Sequence, residues 1–142
     1  MNRKNTTEIA SLGEFGLIDR LTSRLKRRND STLLAAGDDA AVIAMGDEVM
    51  LLSTDMMTEG VDFDLSYFPL KHLGYKVVVR GVNDILAMNA KPQQLVVALG
   101  VSAKISVEAL DELYEGMELA ANEIGVDIVG GDTTASINGL QI

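Results

Sequence analysis

Leu51-Leu52-Ser53-Thr54-Asp55-Met56-Met57-Thr58-Glu59-Gly60-Val61-Asp62-Phe63 sets a carboxylate at the point where an apolar run stops. Val49 to Leu52 read as a buried strand, and Ser53, Thr54 and Asp55 place three oxygen-bearing side chains at its carboxyl end. Ligand sites of α/β sheets collect at that end of the strands. Working outward, acidic positions beside apolar elements recur at Gly37-Asp38-Asp39, Asn83-Asp84 and Gly130-Gly131-Asp132-Thr133-Thr134.

The elements around this stretch follow from periodicity and punctuation. Glu14 to Arg28 predicts an amphipathic helix, with Phe15, Ile18, Leu21 and Leu25 at helical spacing and basic residues at its C-terminal end. Leu34 to Asp39 is a polar turn. Ala40 to Ala44 and Val49 to Ser53 read as strands joined by a Met45-Gly46-Asp47-Glu48 hairpin turn. Met56 to Pro69 is too long to be a mere connection, and Pro69 suits the first position of a helix running to Ala90, before Lys91-Pro92.

Gln94 to Val101 is a central strand, and its continuous run Leu-Val-Val-Ala-Leu predicts cover on both sheet faces. Ser106 caps a helix that carries Val107, Leu110, Leu113, Met117, Ala120 and Ile124 and ends at Gly125. Val126 to Val129 is a short strand, Gly130 to Thr134 a loop, and a further strand begins near Ile137. This alternation predicts an α/β (α+β) fold, a mixed sheet with helices packed on one face. Leu140-Gln141-Ile142 reads as the middle of an apolar strand, so residues 1–142 are expected to be one domain cut from a longer protein.

Composition narrows the chemistry. With 47% hydrophobic residues in 142, the chain can bury enough apolar surface to fold as one domain. A net charge of -9 argues against nucleic acid as a partner, because such binding rests on Lys and Arg contacts to phosphate. No Cys is present and His72, read as a surface residue, is the single His, so any metal must be held by oxygen ligands and is a hard ion. Met1 to Ala10 lacks a signal-peptide core, and no apolar run approaches the ~20 residues of a membrane span. A cytoplasmic protein with no membrane partner is expected.

Each acidic position has an ordinary reading beside the functional one. Asp84 projects, at ~100° per residue, within ~60° of Leu73, Val77, Gly81 and Met88. A carboxylate buried there requires a counter-charge, hydrogen bonds or a metal, and the ordinary readings are a salt bridge with Arg80, one turn earlier, or a helix exposed at that point. Asp55 is a strand-end ligand or a turn former. Asp38-Asp39 could cap a turn, and the glycines before Asp132 either admit an anion to the backbone or form a common loop. Taken together, the four sites fit a multi-metal site better than a solvated surface. Phosphate-binding loops of the G-x-x-x-x-G-K-[ST] and G-x-G-x-x-G types are absent.

Five motifs, in order, carry a resemblance: Gly13-Glu14-Phe15-Gly16-Leu17-Ile18, Gly37-Asp38-Asp39-Ala40-Ala41, Ser53 through Phe63, Asn83-Asp84-Ile85-Leu86-Ala87-Met88-Asn89-Ala90-Lys91-Pro92, and Gly130 through Thr134. From about Gly13 onward the chain resembles the N-terminal half of thiamine-monophosphate kinases, a family related to aminoimidazole ribonucleotide synthetase, selenophosphate synthetase and a hydrogenase maturation protein. The resemblance implies an aminoimidazole ribonucleotide synthetase-like N-terminal domain whose sheet pairs across a homodimer, with a C-terminal domain following. It implies ATP-dependent phosphorylation of thiamine monophosphate with several Mg2+ ions. Carried over by motif, the metal ligands are Asp39, Ser53 or Thr54, Asp55, Asp84 and Asp132, while Gly131, Asp132 and Tyr114 face the nucleotide. Asp62 stands where relatives place a His that touches the substrate, which makes it a candidate substrate contact. The alternatives are another ATP-dependent member of the superfamily, or a non-catalytic metal-binding dimerisation module.

Overall fold

Gly46, at a φ of +68°, makes the turn that joins β2 (Ala41–Met45) to β3 (Glu48–Leu52). Their antiparallel register runs from Ala41↔Leu52 to Met45↔Glu48, and β1 (Thr32–Leu34) adds to the other edge of β2. The computed structural model describes residues 6–142, and the chain divides into two units at Leu52/Ser53. The first five residues, part of the amino-terminal stretch read above for a signal peptide, lie outside the described residues. The first unit holds this three-stranded sheet and α1 (Gly13–Thr22). Helix α1 is shorter than its apolar spacing predicts, ending before Leu25, and Phe15 and Leu21 on it are exposed.

The second unit is built on β4 (Gln94–Ser102), flanked by β5 (Asp127–Ser136) in parallel and β6 (Leu140–Gln141) in antiparallel orientation. The chain therefore forms two three-stranded sheets where the sequence predicts one. The break lies at Ser53 to Pro69, which leaves the hairpin as loop, not as strand. That loop is pinned to β6: Met57 and Ile142 exchange amide-to-carbonyl bonds of 2.8 and 2.9 Å, and the Glu59 amide donates to the Leu140 carbonyl at 2.9 Å.

Helices α2 (Leu70–Ala87) and α3 (Val107–Ile124) supply most of the core. Pro69 precedes α2 as its cap, and the helix stops where Asn89 takes a φ of +57° and the Ala90 amide returns to the Ile85 carbonyl. An Asn in this left-handed position is a recurrent helix stop. Helix α3 begins with the Ser106 hydroxyl accepting from the Ala109 amide and ends at Gly125 with φ +80°, as the sequence predicts. Such a cap contributes about 1 kcal/mol.

Leu73, Val78 and Val82 of α2 meet Leu113, Met117, Ala120 and Ala121 of α3 over Val97 and Leu99 of β4. Both helices lie on one face of the sheet. Val97 is 7% exposed whereas its neighbour Val96 is 73% exposed, so the expected cover of both faces is not met within this unit. The apolar run of β4 is half core and half open surface.

Tyr75 on α2 donates its hydroxyl to Glu123 on α3 at 2.7 Å, which raises the phenol above its ordinary value of 10.0. A group raised on folding stabilises the fold at all pH below its unfolded value and loses that contribution as pH rises through the folded value. Glu123→Gln should move the Tyr75 phenolate absorbance step back toward 10.0. An unchanged titration curve would show that the carboxylate does not act on the phenol.

Candidate active site

Asp55 lies just beyond the end of β3, where the loop turns toward α2. One of its oxygens accepts from the Met56 amide at 2.8 Å, and the other accepts from the Nε of Arg80. Arg80 rises from α2, and its second arm donates to the Oδ1 of Asp62 at 2.7 Å. The Oδ2 of Asp62 accepts from the Thr58 amide at 2.8 Å, and its backbone carbonyl accepts from the Nζ of Lys76 at 2.9 Å. Lys76 also stands over the Phe68 ring. Thr58 in turn pairs with Gln141 of β6, so Asp62 is tied into the sheet. The Thr58 amide first, and Arg80 next, hold the Asp62 carboxyl below its ordinary value of 3.8.

One ordinary expectation for Arg80 is a pair with Asp84, one turn on, but its partners are Asp55 and Asp62. Helical side chains tilt toward the helix N-terminus, which aims Arg80 away from Asp84 and toward the loop. Their spacing of 25 and 18 residues from Arg80 leaves no local sequence signal for these pairs.

Asp84 itself is half-buried on α2, and its carboxylate makes no hydrogen bond or ion pair among the described residues. Leu73 is buried, and Val77, Gly81 and Met88 are half-buried, in keeping with the apolar surroundings read from the helix spacing. Ser53 is half-buried and Thr54 exposed. Asp39 is exposed in the first unit, its amide bonded to the Asp38 carboxylate at 2.9 Å. His72 is exposed, as expected.

Asp132 lies within β5, not in a loop. The strand runs through Gly130 to Thr134 after a bulge at Val129, because the pairing steps from Leu95↔Ile128 to Val96↔Gly130. Gly131 makes that continuation possible, since a Cβ there would overlap the Val97 carbonyl. Asp132 pairs with Ala98, and both are exposed. Tyr114 is part of an open groove on α3 with Lys71, Glu115, Glu118 and Ile128, a groove that neither Gly131 nor Asp132 lines.

The structure thus joins Asp55 to Asp62 through Arg80, and among the described residues no three acidic or histidine side chains come together as a ready metal-holding group. The donor chemistry nonetheless suits a hard cation, because every candidate ligand is an oxygen and Asp84 is a half-buried carboxylate with no counter-charge among the described residues.

Fold and motif order define the class. Residues 37–142 match the family described as AIR synthase related protein, N-terminal domain, and the chain belongs to that family. Within it, the chain is similar to thiamine-monophosphate kinases. That of Mycobacterium tuberculosis is 38% identical over 124 residues, which is 87% of this chain and 37% of that protein. That of Bacillus subtilis is 33% identical over 132 residues, 92% of this chain and 40% of that protein. A solved structure of AaThiL complexed with AMPPCP and TMP superposes with a TM-score of 0.84 at 28% identity, covering 97% of this chain and 42% of that one. The chain spans about two fifths of the length of these relatives. Among the described residues no helix is long and apolar enough to cross a membrane.

Proposed function

We propose that the complete protein is a cytoplasmic enzyme that transfers the γ-phosphoryl group of ATP to the phosphate of thiamine monophosphate, giving thiamine diphosphate, with this chain as its N-terminal, nucleotide- and magnesium-binding part. The observation that carries this reading is the superposition on AaThiL, a protein complexed with AMPPCP and TMP. The acceptor is already an anionic phosphate oxygen, so the chemistry needs no strong general base. What opposes it is repulsion between two phosphate-bearing substrates.

Asp39, Ser53, Thr54, Asp55, Asp84 and Asp132 are the side chains that would hold Mg2+, and Gly131, Asp132 and Tyr114 those that would face ATP. When bound, the ions supply charge neutralisation and in-line alignment of the reacting oxygens. The acidic residues then explain how a chain of net charge -9 accommodates anionic substrates. A homodimer is part of the reading, supported by the open apolar face on which Val96 and Val129 are 73% and 58% exposed.

ADP release by the complete protein, measured with thiamine monophosphate and with aminoimidazole precursors as acceptors, tests the assignment. Stimulation by thiamine monophosphate is expected. Stimulation by the imidazole precursor alone would move the protein to another branch of the superfamily. Residues 1–142 alone are expected to dimerise and bind Mg2+ weakly without turnover.

A further inference from the structure

Two carboxylates of the Ser53 to Pro69 loop, Asp55 near its start and Asp62 near its middle, are held by one guanidinium. Asp62 is fixed independently of it, through the Thr58 amide at 2.8 Å and through Lys76 on its own carbonyl at 2.9 Å. Arg80 therefore reaches Asp55 from an anchored position. Asp55, by contrast, has among the described residues only its neighbouring Met56 amide besides Arg80, with one oxygen engaged by each. The side chains of Arg80, Asp55 and Asp62 keep 38%, 28% and 20% of their exposure, leaving the pairs open to exchange with solvent ions. Asp62 gives one oxygen to the Thr58 amide and the other to Arg80.

We propose that Arg80, anchored by Asp62, is a built-in counter-cation for Asp55, and that a divalent ion binding at Asp55 competes with it. This rests on the reading of Asp55 as a metal ligand given above. A planar fork that donates to two carboxylates at once is a use that Arg serves and Lys does not. Removing a positive charge in direct contact with a ligand carboxylate strengthens its hold on another cation, whereas removing a merely structural support would loosen it. The two roles differ in sign.

Mn2+ binding to the complete protein, followed by electron paramagnetic resonance of the free ion, separates them. Asp55→Asn should abolish one Mn2+ site, which defines it. Arg80→Gln should tighten that same site by about tenfold, the low end of the scale on which an adjacent charge shifts an ionic equilibrium. Arg80→Lys, which keeps the charge but cannot span both carboxylates, should fall between wild type and Arg80→Gln, and it serves if the Gln variant does not fold. Unchanged or weaker Mn2+ binding in both Arg80 variants, with the Asp55-dependent site intact, would overturn the competition and leave the metal reading standing. Full Mn2+ binding in Asp55→Asn would overturn both.

Discussion

Replacing Asp84 by asparagine in the complete protein is expected to lower kcat by about a hundredfold or more while leaving the fold intact. The magnitude is that of removing one group aimed at charge developing in the transition state. Asn keeps the volume and planarity of the side chain, so packing beside Leu73 and Val77 is preserved. Stability in the absence of metal should be unchanged, because Asn keeps the shape of a carboxylate that has no side-chain partner among the described residues. Added Mg2+ should raise the thermal midpoint of the wild type, as a ligand that binds only the native state does, and should raise that of Asp84→Asn less. The two measurements together separate a ligand from a structural residue. Near-normal turnover with a lowered midpoint would make Asp84 a packing residue, and the metal assignment would lose its helical member.

The helices and their stops were legible because their signals are local. Ser106, Gly125 and Pro69 act within a turn of where they stand, and the spacing of Leu113, Met117 and Ala120 shows which side of α3 is buried. The hairpin at Gly46 is equally local. What the chain does not display in any one window is long-range pairing. Asp55 and Asp62 are joined through a residue on another element, and the loop before α2 is pinned by Leu140 and Ile142 at the far end of the chain. The sequence predicts an end to the strand at Val129 because Gly130-Gly131 is turn chemistry in isolation, whereas the close approach of β4 makes Gly131 a requirement of strand pairing. The run in β4 misled for a related reason. Apolar residues on both faces signal that both faces are used, but not whether the same unit covers them. For the candidate site, residue types were readable from motif and chemistry, while the partner of each carboxylate was not.

Gly116 is a further long-range requirement, and Gly116→Val is expected to prevent stable folding of the second unit. A Cβ on Gly116 would overlap the Lys71 carbonyl, and one on Gly74 would overlap the Leu113 carbonyl, so α2 and α3 touch backbone to backbone at both places. Neither obstacle is a flexible side-chain end that could swing aside. Even Gly116→Ala must separate the helices and open the contacts among Leu73, Val78, Leu113 and Met117, all of which are 0% or 1% exposed. Overpacking of this kind costs about 1–3 kcal/mol, at times more, and it outweighs the gain of about 1 kcal/mol from replacing a helical glycine with alanine. A net loss of about 2 kcal/mol is expected for Gly116→Ala in urea unfolding followed by far-UV circular dichroism. Gly81→Ala supplies the control on the same helix pair. Its new methyl would meet only the Leu95 side chain, at 3.6 Å, an ordinary contact distance. That variant should be neutral or more stable by up to about 1 kcal/mol. Equal effects of Gly116→Ala and Gly81→Ala would mean that helix propensity alone governs both sites and that the close crossing of α2 and α3 carries no weight in holding the core.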